Sequence, residues 1–529
     1  MELLPTPDDR PAGEAGRNTG SNIRGNEMKT ANFLATLGAS VLLALPTFAA
    51  ELKIGLADDA DVLDPAQSRS FVGRIVYTAL CDKLFDVTPD LKIVGQLATD
   101  YKWSADGKEL TLTLRQGVKF QDDTPFNAQA VVDNITRAMT LPESRRKSEL
   151  SSVSKVEATG DYEVKFTLKA PDVTLVAQLS DRAGMMISPK AAKELGAKFG
   201  DHPVCSGPFK FVERVQQDRI VLEKFQDYWN KDNIFIDKIT YRPIPDSAVR
   251  LANLRSGDLD LIERVAPTDV ETVKGDSNLD MVDKVNIGNL GIYFNVGNGA
   301  RADNPLGKDK RLRQAFSLAI DREAAMQIVY DGTGVAGNQP FPPSSPWFNK
   351  DLPVPARDVD KAKALIKEAG FDRVPVELTM ANDPIIAQMM QIIQSMVAEA
   401  GFDVTLKATE FATLLNDQTA GNYQVSRSDW SGRFDPDGNT NQFYTTGAGL
   451  NDMHYSNPDV DMLLSEARQS QDDTVRKQKY DAAGKILAED LPIVYIGHQA
   501  WIWGYNKKVT GFVPSPDGMI RLVGVKKAD

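Results

Sequence analysis

Apolar and polar positions alternate along two stretches in the first half of the chain. Leu110, Leu112 and Leu114 stand between Thr111, Thr113 and Arg115, and Tyr162, Val164, Phe166 and Leu168 stand between polar or charged neighbours. A period of two puts one set of side chains on each face of a strand, so both stretches predict half-buried strands that pair with each other. Leu52, Ile54 and Leu56 predict a further strand, ended by a turn at Asp61-Val62-Leu63-Asp64-Pro65. Residues 202–229 read as a hairpin. Ser206-Gly207-Pro208 turns the chain, Phe209, Phe211 and Val215 mark a strand, Gln216-Gln217-Asp218 turns again, and residues 220–225 return.

Helical spacing governs residues 69–84 through Phe71, Ile75, Leu80 and Leu84, with Cys81 on that helix, and residues 128–139 after a turn at Asp123-Thr124-Pro125-Phe126. Residues 246–255 predict a helix with Asp246 as N-cap and Gly257 as stop. Leu312, Ala315, Phe316, Ala319 and Ile320 share one helix face. Residues 258–262 and 290–296 read as strands, the second predicting a crossing near Asn295 into another lobe. There, helices at 359–370 and 385–401 alternate with strands at 376–380 and 404–408, which predicts a βα lobe with a mainly parallel sheet. Helices at 457–467 and 474–490 precede a strand at 491–496, and residues 498–503 lead back to the first lobe. The Met389, Met390, Ile393 and Met396 stripe reads as core packing rather than a copper site.

At 529 residues the chain is too long for one core and predicts two or three domains. Residues 1–27 lack any apolar period and are assigned no structure, as an upstream artefact of start-site choice. Met28-Lys29 opens a basic segment, residues 33–45 are an apolar run too short to span a membrane, and Thr47-Phe48-Ala49 offers small residues for cleavage. Residues 28–49 therefore predict a cleaved signal peptide and a periplasmic protein, and the lack of a Cys after the apolar run argues against lipid anchoring. The formal net charge of −12 argues against nucleic acid or anionic membrane as a partner. Cys81 and Cys205, the only two cysteines, are expected to pair in an exported chain, two buried thiols being the alternative.

Motifs of catalysis are thin. His202, His454 and His498 are the only histidines, and H-E-x-x-H, G-x-S-x-G and the P-loop pattern are missing. Gly332-Thr333-Gly334-Val335-Ala336-Gly337 fits G-x-G-x-x-G, but a helix precedes it and a Pro-rich loop follows, which inverts the context that dinucleotide binding needs. That loop, residues 338–355 with Pro340, Phe341 and Trp347, is expected to shape a pocket. Asp435-x-Asp437-x-Asn439 has its Gly too early for an EF-hand loop. No cofactor and no metal are expected.

Several motifs in combination resemble the solute-binding proteins of peptide-, opine- and nickel-type ABC importers, extracellular solute-binding protein family 5. They are S-G-P-F-x-F-x-E at 206–213, D-R-I-V-L-E at 218–223, D-Y-W at 227–229, L-D-P at 63–65, G-x-x-F-x-D at 117–122, P-F-x-A at 125–128 and R-Q-A-x-x-x-A-I-D-R at 313–322. The resemblance implies an α/β, two-lobed periplasmic-binding-protein fold of type II with an extra small α+β subdomain in the first lobe. Lobe I is placed at 50–82, 203–295 and 497–529, the insertion at 83–202 with a structural role only, and lobe II at 296–496. It implies a binder and not an enzyme, acting as a monomer with ABC permease subunits and their ATPase. A peptide binder proper or a periplasmic hydrolase on the same scaffold are the alternatives.

The resemblance also places the ligand site. Phe71, the Ser206-Gly207 turn, Asn295 and His498 are expected at the cleft, with Trp430 and Trp501 as flat walls. Peptide binders carry W-x-G followed by an Asp for the ligand's amino group; here Trp430-Ser431-Gly432 is followed by Arg433, and Asp435 is displaced by two. Dipeptide binders keep a carboxylate-binding Arg where Met380-Ala381-Asn382-Asp383 stands. An Arg in place of an Asp reverses the local charge, so Arg433 is expected to take a ligand carboxylate.

Overall fold

The computed structural model describes residues 50–528, so the expectations about 1–49 lie outside the described residues. Both alternating stretches form strands, Glu109–Leu114 and Glu163–Leu168, antiparallel with Leu112 opposite Val164, inside a four-stranded sheet. Their apolar faces pack on Val131 and Ile135 of the Ala128–Thr140 helix, one core of its own. The hairpin also forms, Phe209–Val215 against Arg219–Lys224. It edges a twelve-stranded sheet and shares a second core with the Glu51–Leu56 strand and the Phe71–Leu80 helix. Ser70 caps that helix by accepting from the Gly73 N–H at 3.0 Å. The helix stops at Leu80, short of the predicted 84, because Cys81 turns extended and is disulfide-bonded to Cys205 across a Cα separation of 4.8 Å.

A third core holds Met389, Met390 and Ile393 against the Val374–Ala381 strand. That strand runs parallel to Phe402–Thr409 and Val425–Trp430, but Asn289–Phe294 is antiparallel to both of its neighbours, so this half of the twelve-stranded sheet, the half away from the hairpin, is mixed. The reason is the route of the chain. Asn289–Phe294 carries it into this sheet and Ile493–Asn506 carries it out, so two adjacent crossing strands must run in opposite senses.

Ile493–Asn506 is one continuous strand. Its first residues pair with Asn289–Phe294 and its last ones with Leu279–Val285 of the other half-sheet. Leu290–Phe294 lies wholly on the far side, so the first crossing falls at residues 286–288 and not at Asn295. His498 bridges the two crossings: its buried Nδ1–H donates to the Gly288 carbonyl at 2.6 Å, and Nε2 has no partner. Gly337 packs on the ring so closely that a Cβ there would lie 2.6 Å from Nε2. Burial, against the pull of the Gly288 carbonyl, brings the His498 pKa from 6.5 down to about 4. The unfolded chain then takes up this proton near pH 6.5 while the folded chain resists it until about 4. The stability is fully present above pH 6.5 and lost on acidification towards 4, by about 3 kcal/mol. Urea unfolding of the wild type and His498→Gln at pH 7 and 4.5 should show the gap between them narrowing in acid; a gap that does not move with pH would exclude this role.

Candidate ligand-binding site

Strand ends meet at the cleft between the half-sheets. Glu51–Leu56 runs parallel to Leu261–Ile262, and their carboxyl ends lead to Asp58 and Arg264. Val374–Ala381 and Val425–Trp430 end at Ala381 and Trp430. These residues line one cavity, at the carboxyl edges where open α/β sheets place ligands. Phe71 and Arg74, one turn apart on the capped helix, face the same space. Phe71 stacks flat on Trp501 with centroids 4.5 Å apart, and the Arg264 guanidinium lies 5.3 Å and 5.6 Å from the two rings. Trp430 forms the other wall, edge-on to Phe443 and donating its indole N–H to Asn439 Oδ1 at 2.8 Å.

Five arginines line this cavity, Arg69, Arg74, Arg182, Arg264 and Arg427, against two carboxylates, Asp58 and Asp429. Four of the five are paired: Arg69 with Asp452 at 2.6 Å, Arg74 with Asp181 at 3.1 Å, Arg264 with Asp58 at 3.5 Å, and Arg427 with Asp429. Arg182 differs. It is 2% exposed, donates from Nη1 to the Ser68 carbonyl at 2.9 Å, and its Nε and Nη2 have no partner. Among the described residues no carboxylate lies within ion-pair distance of it. Burial and the neighbouring Arg146 pull its pKa down to about 10, so it remains a cation at neutral pH. The adjacent Asp181 is held well below the usual carboxylate range: burial opposes this, but Arg433, Arg74 and Arg182 win.

Of the residues expected at the ligand, Phe71, Trp430 and Trp501 line the cavity. Arg433 does not. It reaches Asp181, donates to the Gly432 carbonyl at 2.7 Å and stacks on Trp430 at 4.2 Å, which makes it a tie across the cleft. Asp435 accepts twice from Arg476 at 2.9 Å. Gly432 has φ +80°, and a Cβ there would lie 2.4 Å from the Ile287 carbonyl, so it seats this loop on the first crossing. Asn295 spends its side-chain N–H groups on the Asn298 and Tyr423 carbonyls, and Ser206 donates to the Met186 carbonyl. Gly207 abuts the Leu80 backbone, Met380 belongs to a core, and Asn382 lines a groove beside the cavity. His498 is taken up by the crossing. The 338–355 loop shapes a separate pocket with Tyr444 and Tyr480.

The arginines are what sequence reading missed. Arg74 carried a signal, a charge on a helix whose other faces are apolar, and Arg427 opened the ligand stretch; Arg182 sits on a three-residue turn with no period. Residues of the segment assigned to the insertion reach the cleft. That segment supplies Arg182 and Asp181, and its Gln178 donates to Asp437 at 2.9 Å across the cleft.

Residues 92–451 match the family described as bacterial extracellular solute-binding proteins, family 5. A glutathione-binding protein, GsiB, of Pectobacterium atrosepticum is 30% identical over 90% of this chain and 94% of its own length. The periplasmic binding protein AgaA of A. tumefaciens R10, in complex with agropinic acid, is 26% identical with a TM-score of 0.83 over 90% of this chain and 99% of that one. The periplasmic binding protein DppA of Helicobacter pylori, in complex with peptide STSA, is 25% identical with a TM-score of 0.82 over 91% and 99%. The chain belongs to the family 5 extracellular solute-binding proteins. It has their two-lobed type II fold and is the periplasmic, solute-capturing component of an ABC importer, not a hydrolase.

Proposed function

We propose that this chain, exported through the 28–49 leader, captures a small carboxylate-bearing solute of opine or peptide-like kind and delivers it as a monomer to an ABC permease and its ATPase. The observation that carries this is Arg182, a buried guanidinium with two unpartnered nitrogens and no ion pair, at the cavity wall. A carboxylate accepts two parallel N–H groups from such a fork and supplies the missing counter-charge. Glutathione, agropinic acid and the STSA peptide, named for the relatives, all carry that group. The lobes are those assigned from sequence, with the first crossing moved to 286–288. Closure turns about the two crossings and is held by Arg433–Asp181, Arg74–Ser431 and Arg69–Asp452.

Calorimetry with glutathione and Ser-Thr-Ser-Ala, each beside its carboxamide form, tests the reading. At least one acid should bind at least about 10-fold tighter than its amide, since a desolvated charge pair is worth about 2 kcal/mol or more. Equal binding of acids and amides would overturn it.

A further inference from the structure

The cavity has two unlike ends. At one, Arg74 is shared with a pocket that holds Lys83, Arg433 and Arg521 together with Asp181, Asp435 and Asp517, so the cation without an ion pair beside it is Arg182. At the other, Asp58 and Phe411 are shared with a groove lined by Asp59, Asn382 and Glu410. The other acids at that end are occupied. Asp59 pairs with Arg214 at 3.1 Å and accepts the Gln217 N–H at 2.9 Å, Glu410 caps one helix, and nearby Asp383 caps another. Asp58 is different: it is 9% exposed, and among the described residues no hydrogen-bond donor reaches its carboxylate. Its one ion pair, to Arg264, is 3.5 Å long, and Arg264 is also drawn to Glu263 at 3.9 Å and over the Phe71 and Trp501 rings.

We infer that Asp58 is the receptor for an ammonium group, and that the solute is a zwitterion lying with its amine at Asp58 and a carboxylate at the Arg182 and Arg74 end. The inference rests on the carboxylate reading above and narrows it to amine-bearing conjugates. It moves amine recognition from the segment after Trp430, where Arg433 now ties the cleft, to the end of the first strand on the opposite side. The Asp58 oxygens open to the cavity with one long ion pair and no hydrogen bond from the protein, so their lone pairs are free, and an ammonium with three N–H groups would satisfy both the charge and those lone pairs. Burial, opposed by Arg264 and Arg250 and assisted by Asp383 and Glu263, raises the Asp58 pKa to about 7. Ionised Asp58, the form that pairs with an amine, therefore gains population as pH rises from 6 to 8.

Free-amine and N-acetyl forms of glutathione and of Ser-Thr-Ser-Ala, titrated into the wild type and Asp58→Asn at pH 6 and 8, test this. The wild type should prefer the free amine at least about 10-fold and bind it more tightly at pH 8. Asp58→Asn should lose both effects while still binding the N-acetyl forms, which shows that it is folded. N-acetyl forms that bind the wild type as well as free amines overturn the inference and leave the carboxylate reading standing. Carboxamides that bind as well as acids overturn that reading instead, and binding by neither parent compound overturns both.

Discussion

Arg182→Met should weaken binding of the carboxylate solute by about 2–5 kcal/mol, because it removes the one guanidinium in the cavity that lacks a counter-charge. The ligand-free protein should meanwhile keep its stability or gain some. A buried, unpaired guanidinium carries a desolvation cost that methionine lacks, and the Ser68 carbonyl still accepts from Arg146 Nη2 at 3.2 Å. The two effects have opposite signs, which separates anchoring from folding. Thermal unfolding with and without whichever of glutathione and Ser-Thr-Ser-Ala binds the wild type reads both at once: the wild type should gain midpoint with ligand, and the variant should show an equal or higher starting midpoint and little gain. A variant that still gains as much as the wild type would show that the carboxylate sits elsewhere.

Removing the Cys81–Cys205 bridge has the second large effect. The two residues are 124 apart in sequence, and the bridge joins the end of the Phe71–Leu80 helix to the strand-side turn at Ser206, closing off the chain that makes the inserted subdomain. A loop of that length loses much conformational freedom in the unfolded state, so the double Cys81→Ala, Cys205→Ala variant should be about 2–5 kcal/mol less stable. Both sulfurs are buried in the second core, so the alanines also leave unfilled space. Guanidinium unfolding of the two proteins under non-reducing conditions gives the measure. Coincident midpoints would mean that the bridge constrains nothing.

Local pattern was legible wherever one face of an element is buried. Leu110, Leu112 and Leu114 predicted not only a strand but also its partner, because period-two burial on both strands admits one register. The hairpin at 209–224 was legible for the same reason, together with a Gly-Pro turn. The motif resemblance carried the family and the two-lobed fold. The placement of charge was not legible in that way. Arg433 stood where a ligand-facing residue was expected, yet Asp181, more than 250 positions earlier, takes its guanidinium. Arg182 has no periodic context, and it stands out because the neighbouring Asp181 is paired with Arg74 and Arg433 instead.

What the sequence determined by itself is therefore what depends on neighbours a few residues away: strand and helix periods, caps such as Ser70 and Asp246, turns, and the motifs that identify the family. What only the tertiary structure decided is where the chain crosses between half-sheets and which of many arginines stay unpaired. The crossing at 286–288 is set by pairing with a strand some two hundred residues later, His498 closing it through the Gly288 carbonyl. Ion pairing is likewise a property of three-dimensional distance, since a charge is neutralised by whatever lies within about 4 Å regardless of sequence position. So the aromatic residues Phe71, Trp430 and Trp501 that line the cavity could be named from the sequence, while the cavity charges Arg182 and Asp58 stood out only once their surroundings were in place.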